Sequence, residues 1–364
     1  MVGAAEYAPL LLLSLFAGVW VDRMPRRRLL LASDVGQAVL IGSIPILFLQ
    51  GLLHIEYLYG VAFLAGCFAV IFGIAYQAYL PELVSTEHLV EGNSKLAASE
   101  AIAEVAGPSI AGIILQILSA PLALFVDAAS FLVSAICLTW IGKRPDPPVI
   151  RQQQSSPSIW KQIFEGLQRI SQHPQLRAIA GCSSTLNFCE TAILTVYTLY
   201  VINELHLSAV LLGLVLGIGS IGGLAGALLA DRCTRRYGLG PVLLMSILLS
   251  GVGTVLAPLA HGPLFITVPL LIAGRFMIGF ATSIYNINQI SLRQITTPQS
   301  LQGRVNATIR FLAGGSVPLG ALVGGASGMV IGARATILLG AIGITLSFCW
   351  LFFSPVRHLR KSLR

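Results

Sequence analysis

The side chains of this sequence most able to do chemistry are ionisable groups inside long apolar stretches. At a rise of about 1.5 Å per residue, Glu190, Arg275 and Glu104 lie about 18, 16 and 10 Å inside the stretches that contain them. An ionisable group at such depth in a membrane is functional by default, and a carboxylate there can bind and release a proton. We therefore predict Glu190, and after it Glu104, as the proton carrier, with Arg275 as the partner of Glu190. A static ion pair between Glu190 and Arg275 is the alternative.

Three amides close to these residues are predicted to line a polar cavity: Asn187, Asn286 and Gln289. Hydrogen bonds between helices explain such amides equally well. Three further acids lie near the ends of their stretches and are expected to extend toward water: Glu6, Asp34 and Glu100.

The arrangements that enzymes use are absent from the sequence. It contains no phosphate-binding loop of the pattern G-x4-G-K-S/T and no recognisable nucleophile–base pair. The six cysteines and six histidines show no metal-ligand spacing, and every histidine falls outside the apolar stretches. We predict a protein that is not an enzyme and that needs no cofactor and no metal.

The elements that must position these residues are membrane-spanning helices. Charged residues make up only 10% of the 364 residues, whereas a soluble domain carries about 25%. About 20 consecutive apolar residues cross a bilayer as a helix, because the backbone must satisfy its own hydrogen bonds in lipid. Eleven stretches qualify: 3–21, 29–51, 57–79, 97–118, 121–141, 178–201, 208–230, 240–260, 264–290, 305–327 and 333–353. The sequence therefore predicts an all-α membrane protein.

Basic residues are concentrated on one side of the predicted spans. Suppose that the segments after the first, third, fifth, seventh, ninth and eleventh spans lie in the cytosol. These segments and the residues beside them then hold 21 of the 23 Lys and Arg residues. The positive-inside rule then predicts a multi-pass protein of a bacterial-type inner membrane, with its C-terminus in the cytosol. This topology accounts for the net charge of +8, so we expect the lipid bilayer and not nucleic acid as the surrounding partner.

The two halves of the chain repeat one another with an offset of about 210 residues. The recurring landmarks are Asp22, Arg23, Arg26 and Arg27, which return as Asp231, Arg232, Arg235 and Arg236, and Pro108, which returns as Pro318. Parallel repeats of this kind are typical of transporters. They predict four regions: a first bundle at 1–141, a cytosolic linker at 142–177 with a surface helix near 160–171, a second bundle at 178–356 and a basic tail at 357–364.

The second half contains one span that the first half lacks. In the second half, two predicted spans, 178–201 and 208–230, precede the Asp231 motif. In the first half only one predicted span, 3–21, precedes the Asp22 motif. We therefore expect a design of twelve helices without its first, and a further span encoded ahead of Met1.

A five-residue pattern carries a resemblance to a known family. Gly18, Asp22, Arg23, Arg26 and Arg27 are spaced as in the loop motif of the major facilitator superfamily, G-x3-D-R-x-G-R-R. Within that superfamily the chain looks most like the drug and macrolide exporters, a group that also contains siderophore exporters. The resemblance implies a major-facilitator-like fold of two helical bundles.

The same resemblance implies roles for the motif residues. Asp22 is expected to accept hydrogen bonds at the start of helix 305–327, and Asp231 at the start of helix 97–118, so that both latch the cytosolic side shut. Simple positive-inside charge is the alternative. Three further residues resemble the superfamily's antiporter motif, which implies export: Gly107, Pro108 and Gly112.

These observations predict a secondary active transporter. We expect proton-coupled export of an amphipathic small molecule, such as a drug, macrolide or siderophore-like compound, by a monomer that works through alternating access. Import of a metabolite and a truncated, non-transporting membrane protein stay open as alternatives.

Overall fold

The structure is a computed structural model that describes residues 2–118, 120–141, 159–260 and 262–359. Within these ranges the chain forms helices and no strands. The α-helices are α1 (Val2–Arg23), α2 (Arg26–Leu49), α3 (Ile55–Leu83), α4 (Leu89–Ile117), α5 (Ala120–Trp140), α6 (Ile159–Gln172), α7 (Pro174–Leu199), α8 (Ala209–Tyr237), α9 (Leu239–Leu259), α10 (Leu264–Thr296), α11 (Gln302–Ile331), α12 (Ala333–Leu346) and α13 (Phe348–Phe352).

The predicted all-α membrane architecture is confirmed. Each predicted span coincides with one of these helices, and the last span corresponds to α12 and α13 together. Nine helical segments of the described ranges have the length and the apolar composition needed to cross a bilayer. The helix predicted near 160–171 is present as α6, which lies between the repeats and is strongly amphipathic.

The first compact unit comprises Met1–Leu83, Ser109–Arg169 and Thr297–Phe311. Its core is built where α1 and α3 pack together with α2, and the start of α11 adds Ala307 to it. The side chains at this contact, such as those of Ala17 and Ile74, are fully buried. They are small or branched, so the helices approach closely near the loop motif at the end of α1.

The second compact unit comprises Val84–Pro108, Ile170–Thr296 and Leu312–Arg364. Its main core joins α7, α9, α10 and α12. In the same unit α8 and α10 approach each other closely, because a Cβ atom at Gly222 or Gly226 would collide with the backbone of Phe276 or Phe280. Small residues four apart permit this approach, as they commonly do between membrane helices.

The compact units do not follow the sequence repeats completely. The second unit takes Val84–Pro108 from the first half of the chain, and the first unit takes Thr297–Phe311 from the second half. These two segments hold the starts of α4 and α11, which occupy equivalent places in the repeat. The predicted bundles at 1–141 and 178–356 therefore correspond to the two sequence repeats. That each of them also folds as one unit stays a prediction.

Candidate functional site

A cavity of about 490 Å³ lies inside the second unit, among α4, α7, α8, α9 and α10. Apolar side chains and glycines form much of its wall. Its polar wall is formed by Glu100, Glu190, Tyr197, Ser220, Thr254, Arg275, Thr282, Ser283 and Asn286. The predicted residues Glu190, Arg275 and Asn286 are thus brought together by the fold.

Glu190 and Arg275 line this cavity without forming the predicted ion pair. No described contact joins the two side chains within 4.0 Å. Glu190 Oε1 instead accepts a hydrogen bond from Thr282 Oγ1 at 3.4 Å. The Arg275 guanidinium carbon lies 4.7 Å from the centre of the Tyr197 ring, and Arg275 Nε has no hydrogen-bond partner among the described residues. The aromatic face substitutes for the carboxylate, because a ring attracts a cation through its quadrupole.

Glu100 is a cavity residue that the sequence analysis placed elsewhere. It was expected to extend toward water from the end of its span, but it lines the cavity with Ala97 and Ala101. Spacings of three and four residues place these three on one helical face, which is the signal that could have identified Glu100. The side chain of Glu104 lies outside the described part of the structure.

The predicted amides have different surroundings. Asn286 faces the cavity, whereas Asn187 Nδ2 donates to the carbonyl oxygen of Ala313 at 3.3 Å. Gln289 is buried, and its Oε1 has no described hydrogen-bond partner. Of the three predicted amides, only Asn286 therefore belongs to the cavity wall, and Asn187 forms a hydrogen bond between α7 and α11.

Asp22 makes the backbone contact that the sequence predicts. In the first unit, its Oδ1 accepts from Gly303 N at 2.6 Å and its Oδ2 accepts from Arg304 N at 3.0 Å. Arg304 Nε also lies 3.3 Å from Oδ2, and the Asp22 side chain is only 1% exposed. Gly18 permits this geometry, because a Cβ atom there would collide with Ala307 and with the Gly303 carbonyl. The carboxylate thus caps the positive N-terminal end of α11.

The arginines of the first motif bind to the ends of other helices in the same unit. Arg26 Nη1 donates to the Ala78 carbonyl at 3.0 Å and to Glu82 Oε1 at 2.6 Å. Arg27 Nε donates to the Leu138 carbonyl at 3.0 Å. Cations at helix C-termini stabilise the exposed carbonyls there. Arg23 is the last residue of α1. The arginines at the start of α2 therefore join it to the ends of α3 and α5 and do more than carry charge.

The second copy of the motif has different contacts. Asp231 Oδ2 pairs with Arg235 Nε at 2.9 Å, and Arg235 Nη2 lies 3.4 Å from Glu91 Oε2. The hydrogen bonds expected between Asp231 and the start of the helix predicted at 97–118 are not among the described contacts. Near the start of α4, Asn93 Nδ2 donates to Ser291 and Gln294 at 2.9 and 2.8 Å.

The remaining residues of this second copy lie at the surface. Arg232 is exposed, and the Arg236 guanidinium lies 5.5 Å from the centre of the Tyr237 ring. Glu91 also bonds Lys95 Nζ at 2.9 Å, and the hydrogen bond with that ammonium lowers the pKa of the carboxyl.

The region resembling the antiporter motif is an uninterrupted part of α4. A Cβ atom at Gly107 would meet no described atom within 4 Å, so this glycine makes no close helix contact there. The side chains at Pro108 and Gly112 lie outside the described residues.

Comparison with known proteins agrees with this architecture. The family model described as "Major Facilitator Superfamily" matches residues 1–239 and 179–363. The "Multidrug efflux pump Tap" of Mycolicibacterium fortuitum is 28% identical over 352 residues, which cover 93% of this chain and 82% of that protein. The "Enterobactin exporter EntS" of Citrobacter koseri is 26% identical over 338 residues, covering 91% and 76% respectively.

Two solved structures share the fold at lower identity. The human organic anion transporter MFSD10 (TETRAN) gives a TM-score of 0.78 at 17% identity, over 96% of this chain and 82% of that chain. A bacterial homologue of the iron transporter ferroportin, in an outward-facing state, gives 0.69 at 19% identity, over 96% and 88%. Likeness at this level concerns the arrangement of helices and not the transported compound.

Proposed function

Because the chain belongs to the Major Facilitator Superfamily, a family of transporters and not of enzymes, we propose that it exports amphipathic small molecules in exchange for protons. The proposed location is a bacterial inner membrane, where a monomer works with its C-terminus in the cytosol. Relatives named as a multidrug efflux pump and an enterobactin exporter support the outward direction.

The observation that carries the proposal is the acid inside the cavity. Glu190 is located on α7 and has a neutral hydroxyl, not a cation, within hydrogen-bond distance in the described structure. An unpaired carboxylate inside a membrane is costly, so such a residue changes its charge when its surroundings change. This behaviour is what a proton carrier requires.

The cavity wall also suits the proposed class of substrate. A volume of about 490 Å³ falls within the range of roughly 300–1,000 Å³ of small-molecule sites. Apolar residues such as Leu194 and Leu216 alternate with Glu100, Glu190 and Arg275 along the wall. A compound with an apolar body and one or two polar groups would find a partner for each part.

In the proposed cycle, Glu190 holds a proton while it lacks a cationic partner. Arrival of a cationic substrate group, or movement of Arg275 away from Tyr197, would bring a positive charge to Glu190 and release the proton. Substrate and proton would then bias the same conformational equilibrium in opposite directions, which is the differential binding that alternating access needs.

Efflux from proteoliposomes with an imposed pH gradient tests this proposal. We expect the wild-type protein to move a fluorescent amphipathic cation against its gradient, and Glu190→Gln to lose the pH-driven part while still binding the compound. Glu204→Gln, at the end of the π-helical turn that continues α7, is the matched control. Full pH-driven efflux by Glu190→Gln would contradict the role of Glu190. Inward movement of the compound by the wild type would favour import.

A further inference from the structure

Helix α6 exposes an apolar stripe on one of its faces. Trp160, Phe164 and Leu167 are 69%, 65% and 37% exposed, and their spacing of four and three residues aligns them along one side of the helix. Ile163, which borders this stripe, is only 7% exposed. Such a large exposed aromatic surface marks a contact site.

The opposite side of α6 is bound to the loop motif of the first unit. Glu165 Oε2 accepts from Arg304 Nη1 at 2.5 Å, and the backbone N–H of Arg304 donates to Asp22. Gly166 lies beside the same turn of α11, since a Cβ atom there would come within 3.0 Å of Thr308 Oγ1. The position of α6 therefore bears directly on the Asp22 contact.

The exposed stripe continues the outer surface of a membrane-spanning helix. The rings of Trp160 and Phe16 meet edge to face, with centres 5.5 Å apart. Phe16 lies on α1, and Trp20, one turn closer to Asp22, is 42% exposed. Aromatic residues gather where a bilayer meets water. Lys161 is exposed next to the stripe, as in amphipathic helices that lie on anionic lipid.

We propose that α6 is a membrane-interface helix whose stripe of Trp160, Phe164 and Leu167 lies among the headgroups of an anionic phospholipid leaflet. The leaflet is the one at the Asp22 end of α1. Seated there, α6 keeps Glu165 against Arg304 and so supports the cap that Asp22 forms on α11. This inference rests on the chain being a membrane protein and is independent of the transported compound and its direction.

Fluorescence quenching tests the location of the stripe. The full chain and its Trp160→Phe variant are reconstituted in nanodiscs whose lipids carry bromine either near the headgroup or near the chain end. The difference between the two proteins isolates Trp160, because Trp20, Trp140 and Trp350 are common to both. We expect the shallow bromine to quench this difference signal more strongly than the deep one. Quenching by acrylamide in the water, with none from either lipid, would overturn the proposal.

Amide hydrogen exchange tests the link to Asp22 without any transport assay. We expect Phe164→Ser to speed exchange severalfold at the amides of Gly303 and Arg304 in phosphatidylglycerol-containing nanodiscs. Phe164→Leu, which keeps an apolar side chain, should leave the exchange near the wild-type rate. Glu165→Gln should speed exchange in any lipid, which shows that the assay can detect loss of the contact.

Exchange in Phe164→Ser equal to that of the wild type, while Glu165→Gln responds, would overturn the link. The charge contribution is tested by Lys161→Gln. This variant should lose the difference that the wild type shows between phosphatidylglycerol and phosphatidylcholine nanodiscs, and an unchanged difference would contradict an anionic leaflet as the partner.

Discussion

At the scale of single residues, Tyr197 is predicted to hold Arg275 in its place on the cavity wall. Its ring lies 4.7 Å from the guanidinium carbon. Tyr197→Leu removes the aromatic face, and a desolvated cation–π contact contributes about 1–2 kcal/mol, so we expect roughly tenfold weaker binding of a zwitterionic compound, whose anionic group would meet Arg275. Equilibrium binding to the purified protein measures this change.

A conservative replacement provides the control for Tyr197. The hydroxyl of Tyr197 has no hydrogen-bond partner among the described residues. Tyr197→Phe keeps the ring and should therefore bind nearly as the wild type does. Equal losses in the Leu and Phe variants would show that the ring face is not what holds Arg275.

The sequence predicted part of this residue-scale chemistry. Counting residues along the helices placed Glu190 and Arg275 at similar depths, and they do line one cavity. Their direct ion pair was wrong for this structure, because depth does not specify which way a long side chain turns, and Tyr197 offered Arg275 another partner. Glu100 was misplaced for a related reason, since its distance from the helix end says nothing of the face it occupies.

At the scale of helices, the two copies of the loop motif are predicted to differ in strength. Asp22 is buried and bonded to two backbone amides at the start of α11. Hydrogen bonds to a charged group contribute about 1.5–3 kcal/mol each, so Asp22→Asn should lower the free energy of unfolding clearly. Asp231→Asn loses a partly exposed pair, which is typically worth less than about 1 kcal/mol. Thermal unfolding in one detergent compares the two variants.

A pair of glycine replacements tests the same contact by shape instead of charge. A Cβ atom at Gly303 would lie 2.6 Å from Asp22 Oδ1, so Gly303→Ala should displace the carboxylate and destabilise the protein. Gly107→Ala meets no described atom within 4 Å and should fold as well as the wild type. A melting temperature unaffected by Gly303→Ala would argue against a tight cap. Reduced transport by a well-folded Gly107→Ala would support a role for the antiporter-like motif.

Helix positions were largely predictable, and so was the contact of Asp22, whereas the contact of Asp231 was not. Hydropathy placed the spans well, because in lipid the backbone has few alternatives to a helix. The repeat suggested that Asp231 would copy Asp22, but Asp231 pairs with Arg235 of its own helix instead. The repeat predicts the path of the backbone and not the partner that each side chain contacts.

At the scale of the whole molecule, the segments Val84–Pro108 and Thr297–Phe311 predict what happens when the chain is expressed as two fragments. Each compact unit contains a segment from the other half of the sequence. Fragments 1–150 and 151–364, expressed alone, should each lack part of a unit and be degraded. Expressed together they should accumulate and restore activity. Immunoblotting of membranes measures the outcome, and stable accumulation of fragment 1–150 by itself would contradict the assignment of Thr297–Phe311 to the first unit.

The capping of α11 by Asp22 also has a consequence for biogenesis. The amides that Asp22 accepts from belong to Gly303 and Arg304, which are 281 and 282 residues further along the chain. During synthesis, the Asp22 carboxylate therefore cannot form these hydrogen bonds until more than three quarters of the protein has left the ribosome. One contact of its neighbour Arg26 also forms late, because Arg26 Nη2 donates to the carbonyl oxygen of Gln299 at 2.5 Å. The first unit, which includes Thr297–Phe311, can therefore be completed only late in synthesis.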